Sequence, residues 1–117
     1  MNKVEQWNKM ANWYKEHQET YGWDTKPMID VVEAVIESNL AEKFYPSTSM
    51  ASLGISVEEE YEYRLKKPMV YVGSDKGGHT YIVSYQHGQG NTKHQKEFKT
   101  SQRQEMLKSI DKWLEYA

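Results

Sequence analysis

The hydrophobic pattern of the chain changes period at Pro46. Before it, apolar residues recur every three or four positions; after it, they alternate. Helical and extended backbone cannot both be read from one segment, so the first part must be helical and the middle must be a sheet. A helical block followed by strands without βαβ spacing points to an α+β domain.

Residues 3–21 place Val4, Trp7, Ala11 and Tyr14 at spacings of three and four, with Met10, Trp13 and His17 beside them. This predicts an amphipathic helix with a wide aromatic stripe, ended by Gly22. In WDTKP, Asp24 or Thr25 can cap a second helix with Pro27 in its first turn. Met28, Val31, Val32, Val35, Ile36 and Leu40 form its apolar face, while Asp30, Glu33 and Glu37 face water. The two helices should make a hairpin.

In FYPSTSMASLGIS, residues 44–56, Phe44 and Tyr45 read as anchors at a helix exit, and Pro46, Ser47, Thr48 and Ser49 as a turn. Leu53, Ile55 and Val57 then alternate with small polar residues as a strand, and Tyr61, Tyr63 and Leu65 continue the alternation. MVYVG after Pro68, HTYIVSYQ and TKHQKEFK supply three more strands, separated by the turns SDKGG and HGQGN. The last is polar and lysine-rich, as an edge strand should be. Ser101 and Gln104 have capping-box spacing ahead of Met106, Leu107, Ile110, Trp113 and Leu114, a C-terminal helix. The expectation is one α+β domain over residues 1–117, with two N-terminal helices, a four-stranded, mainly antiparallel sheet and a C-terminal helix.

Composition removes whole classes of chemistry. There is no cysteine, which excludes disulfides, thiolate catalysis and cysteine-ligated zinc. No apolar run approaches the roughly 18–20 residues of a membrane span, and MNKVEQWNKM lacks a signal-peptide core. A cytoplasmic protein with no membrane contact is therefore expected. Residues 1–62 carry twelve acids and five bases, and residues 63–117 five acids and ten bases, for a net charge of −2. A globally basic nucleic-acid footprint is absent, so nucleic acid is not the expected partner. One acidic side could instead steer a basic protein.

Three constellations carry candidate chemistry. In EEEYEYR, Glu58, Glu60 and Glu62 would share one face of a strand, and Glu59, Tyr61 and Tyr63 the other. Four glutamates so close together point to exposure rather than to a desolvated acid–base pair. They suit a contact patch, with Tyr61 and Tyr63 as anchors and the carboxylates meeting Lys or Arg of a partner. Asp75, His79 and His94 are the residues a small metal-dependent hydrolase or nuclease would use. The histidines lack any helical metal-ligand spacing, and solvated surface positions are expected for them; no cofactor is expected. Lys93, Lys96 and Lys99 with Phe98 have the ingredients of a nucleic-acid-binding accessory face, although Phe98 is expected to point into the core. GSDKGGH fails the phosphate-loop pattern and reads as a hairpin turn.

The segments Phe44, Tyr45, Pro46, Ser47, Thr48, Ser49 with Leu53, Ile55 and Ser56, then Pro68, Val70, Tyr71, Val72, and then Tyr81 and Val83 resemble small bacterial immunity proteins. These are cytoplasmic partners that neutralise interbacterial toxins. The resemblance implies a non-catalytic module that acts by stoichiometric binding, and it implies no catalytic residue. The expected partner is a protein, a basic toxin domain or a second copy covering the edge strand.

Overall fold

A computed structural model describes residues 2–21, 25–49, 52–64, 66–75, 77–88 and 91–115. Gly22, Trp23, Asp24 and Leu65 lie outside the described residues, as do the side chains of Ser49 and Tyr61.

Helix α1 (Lys3–Tyr21) and helix α2 (Lys26–Glu37) form the predicted hairpin. Trp7, Ala11 and Tyr14 are buried on α1, and Met28, Val31, Val32 and Val35 on α2. Thr25 starts α2 without a side-chain cap; its hydroxyl instead donates to the Tyr14 carbonyl at 2.9 Å, tying the two helices together. Pro27 sits in the first turn, where its missing N–H costs nothing. Asn39, at φ 66°, turns the chain into a single 3₁₀ turn, Leu40–Glu42.

The sheet has five strands rather than the expected four: β1 (Tyr45–Ser49), β2 (Ser52–Ser56), β3 (Pro68–Ser74), β4 (Thr80–His87) and β5 (Thr92–Lys99). They form an antiparallel meander in the order β1-β2-β3-β4-β5. The extra strand is the segment read as a turn. Pro46 does not break it, because β1 is an edge strand and a proline there need only face away from β2. Pro68 occupies the first position of β3, the other place a strand accepts proline.

Register places Ile55, Val70 and Tyr85 in one row and Leu53, Val72 and Val83 in the next, all on one face. That face joins the buried residues of α1, α2 and the C-terminal helix α4 (Arg103–Glu115) in one core. Phe98 on β5 is 6% exposed and belongs to it, as its apolar character required. Met69, on the opposite face, is buried outside that core.

The α4 entry differs in detail from the Ser101–Gln104 box. A 3₁₀ turn, Thr100–Gln102, precedes the helix, and the Gln102 Oε1 accepts from the Lys99 backbone N–H at 3.0 Å. The glutamine at the same spacing two residues earlier satisfies the orphan donor.

Candidate functional site

The acidic segment is not a strand. The chain bends at Val57, runs free of pairing through Glu60, and closes one helical turn, α3 (Tyr61–Arg64), with Arg64 N–H donating to Glu60 O at 2.8 Å. Glutamate is a poor strand residue, and here its backbone finds local partners instead of a ladder. The Ser56 hydroxyl donates to Glu58 O at 2.9 Å. Arg64 folds back along the segment, its Nε donating to Glu58 O at 3.2 Å and its Nη2 to Glu59 O at 2.7 Å. The predicted division into Glu58/Glu60/Glu62 and Glu59/Tyr61/Tyr63 faces is therefore lost.

What replaces it is a ridge with distinct roles. Glu58 is half-buried and pairs with Lys67 Nζ at 3.3 Å, so its charge is met within the chain. Glu59 Oε1 accepts from Gln6 Nε2 at 3.2 Å, linking the ridge to α1. Glu60, Glu62 and Tyr63 are exposed, the tyrosine at 56%. Among the described residues no cation lies within salt-bridge distance of Glu60 or Glu62. Arg64 gives its donors to carbonyls, which holds the backbone without neutralising those carboxylates.

The ridge borders an open groove of about 810 Å³ between α1 and β1. Met10 and Trp13 from α1 and Pro46 and Thr48 from β1 form its walls, with Lys9 and Glu59 at its polar rim. In an antiparallel ladder, successive residues direct their backbone groups alternately toward and away from the neighbouring strand. Pro46 suits the outward set, so Thr48, two residues on, turns its N–H and C=O to the same free edge.

The other candidates separate in space. Asp75 and His79 share the β3–β4 turn, where Asp75 Oδ1 accepts the backbone N–H groups of His79 at 2.9 Å and Thr80 at 3.3 Å. The His79 bond, with that of Thr80, holds the Asp75 carboxyl below its ordinary range. This is hairpin chemistry. His94 pairs with Tyr85, five residues along β4 from Thr80, which at ~3.4 Å per residue is about 17 Å away. Asp75, His79 and His94 are thus not brought together, and among the described residues no three His, Asp or Glu side chains form a metal-binding group.

Like His79 and His87, His94 is exposed at the surface, as expected. Its ring stacks on Tyr85, with centroids 4.3 Å apart and planes 22° from parallel. His17 is half-buried as a boundary residue, its ring 3.9 Å from that of Trp13 and its Nδ1 2.8 Å from the Trp13 carbonyl. Lys93, Lys96 and Lys99 share no basic face. Lys96 lies opposite Val83 with its Nζ 4.9 Å from the Phe98 ring centre, Lys99 lies opposite Thr80 on the other face, and Lys93 has no cross-strand partner.

Sequence reasoning missed Arg64 and Gln6, whose roles depend on contacts the local pattern does not encode. The only hint was a single arginine directly following the acidic run. No protein-family profile, curated protein or solved structure matches the chain.

Proposed function

We propose that this chain is a non-catalytic protein-binding module, most concretely an immunity protein that neutralises a bacterial toxin by stoichiometric occlusion. The observation that supports this most is the Glu59–Tyr63 ridge. Its carboxylates and the Tyr63 ring stay in water while Arg64 and Ser56 hold its backbone. A ridge already held in shape loses less freedom on binding, which lowers the entropic cost of association.

Electrostatics and packing then divide the work. Glu59, Glu60 and Glu62 steer a basic surface toward the ridge, and Tyr63, with Tyr61 beside it in the chain, anchors the contact. The groove between α1 and β1 continues the contact area, with the apolar Met10 and Trp13 available to a partner side chain. A nuclease toxin must present lysines and arginines to its own substrate, and an acidic ridge competes for them.

The test is a charge reversal, Glu59→Lys, Glu60→Lys and Glu62→Lys together, measured by binding kinetics against the polypeptide encoded immediately upstream in the native locus. Glu58 is left intact because it is paired with Lys67. Wild-type association should slow as salt shortens the screening length toward about 8 Å at physiological ionic strength. The triple variant should associate about tenfold more slowly at low salt with its thermal stability unchanged. Association that is untouched by the reversal would refute the assignment of the ridge.

A further inference from the structure

The far end of the sheet carries a second site, independent of the acidic ridge. A cleft of about 480 Å³ opens between the β4–β5 hairpin and α4, within the size range of small-molecule sites. Its floor is Tyr85, only 1% exposed, whose hydroxyl lies 3.1 Å from Ser109 Oγ of α4. The Trp113 ring centre is 5.2 Å from that of Tyr85, and it meets His94 edge-on, at 6.5 Å and 78°. Since Tyr85 is covered, His94 and Trp113 supply the open ring surface.

A register shift explains why cations join these rings. Tyr85 pairs with His94 but Gln86 pairs with Thr92, which leaves Lys93 as the extra residue of a β-bulge. Strict alternation would send Lys93 to the face opposite His94; the bulge lets both line the cleft. Lys112 from α4 and His87 from the end of β4 complete the rim. Among the described residues no carboxylate lines the cleft, and neither Lys93 nor Lys112 lies within salt-bridge distance of one. The site therefore combines two accessible ring surfaces, set nearly at right angles, with positive charge that no described residue matches.

We infer that this cleft binds a nucleotide unit, its base against His94 and Trp113 and its phosphate between Lys93 and Lys112. Every base offers a π-face that can stack on one of these rings while its edge meets the other, and lysine ammonium groups meet phosphate oxygens as point charges. A purely acidic peptide would use the lysines and leave the rings idle. The nucleotide could be free or part of a single strand, because both present the same base and phosphate.

The inference is tested by two-dimensional amide NMR of the full chain, titrated with 5′-AMP, adenosine, inorganic phosphate, a thymidine octanucleotide and a glutamate-rich peptide. Saturable shifts are expected at the Trp113 indole N–H and at the Ser109 and His94 amides. AMP should bind about tenfold more tightly than adenosine or phosphate alone, and Lys93→Ala with Lys112→Ala should weaken AMP about tenfold while leaving the spectrum dispersed. Tighter, salt-sensitive binding of the octanucleotide identifies a strand as the source, and equal binding identifies the free nucleotide. Absence of saturation by AMP and octanucleotide up to about 10 mM overturns the inference. So does indifference to the double lysine variant, or tighter binding of the acidic peptide. None of these outcomes bears on the acidic ridge, which lies on the α1–β1 side of the fold.

Discussion

Replacing Arg64 by alanine should loosen the acidic ridge while leaving the core in place. The side chain makes two charge-assisted hydrogen bonds, 3.2 Å to Glu58 O and 2.7 Å to Glu59 O. A hydrogen bond to a charged group contributes roughly 1.5–3 kcal/mol net. The longer bond belongs at the low end, and at the shorter one, exposed to solvent, water substitutes in part. The combined loss is therefore about 2 kcal/mol rather than the sum of two full bonds. For a chain of this length that lowers Tm by about 8 °C. The assay is thermal unfolding joined to hydrogen exchange of the residue 58–64 amides, which should lose protection more than the β3 and β4 amides do. Arg64→Lys should recover less than half of the loss, because an ammonium on a single stem cannot serve two carbonyls as a planar fork does. A Tm within about 1 °C of wild type, with unchanged exchange in the segment, would refute the clamp.

Two further perturbations probe the scaffold. Trp7 is fully buried, and its indole N–H donates to Phe44 O at 2.8 Å. Trp7→Phe strands that carbonyl and leaves a void, so denaturant unfolding should report a loss of about 2–4 kcal/mol; a loss below about 1 kcal/mol would mean the carbonyl finds another donor. Burial also raises the phenol pKa values of Tyr14, Tyr81 and Tyr85, with Arg103 partly opposing the shift at Tyr81 and Ser109 at Tyr85. A raised folded-state value makes the neutral phenol a source of stability that is complete below the unfolded value of about 10 and is lost as pH climbs above it. Alkaline titration should therefore show tyrosinate absorbance from these rings only together with loss of near-ultraviolet circular dichroism. If all phenols ionise in one step near pH 10 with the fold intact, the burial argument fails.

Where backbone pattern and burial agree, the sequence was sufficient. The stripe Trp7, Ala11, Tyr14 and the face Met28, Val31, Val32, Val35 are buried as their spacing requires, and β4 follows its alternation, as does β3 from Val70 to Gly73. The turn at Asp75–His79 and the edge position of β5 were equally legible. Two segments misled for opposite reasons. Pro46 and its serine and threonine neighbours look like a turn, yet an edge strand needs only half of its backbone groups paired, and a proline in the outward half costs no ladder bond. Residues 58–64 look like a continued strand because tyrosines alternate with glutamates. A guanidinium reaching back to two carbonyls makes a helical turn the better solution.

The chain's own order of residues determines which stretches are helical, which are extended and which carry charge, since each depends on neighbours at most four positions away. It also determines that the acids concentrate before residue 63 and the bases after it. What it could not determine is which charges remain available. Pairing joins residues nine positions apart at Glu58 and Lys67 and fifty-three apart at Gln6 and Glu59, and only the packed fold brings them within reach. The same holds for the cleft at the other end, where one extra residue in β5 turns Lys93 toward rings from β4 and α4. Periodicity is a local property of the backbone; the composition of a site is a property of distances closed by the core.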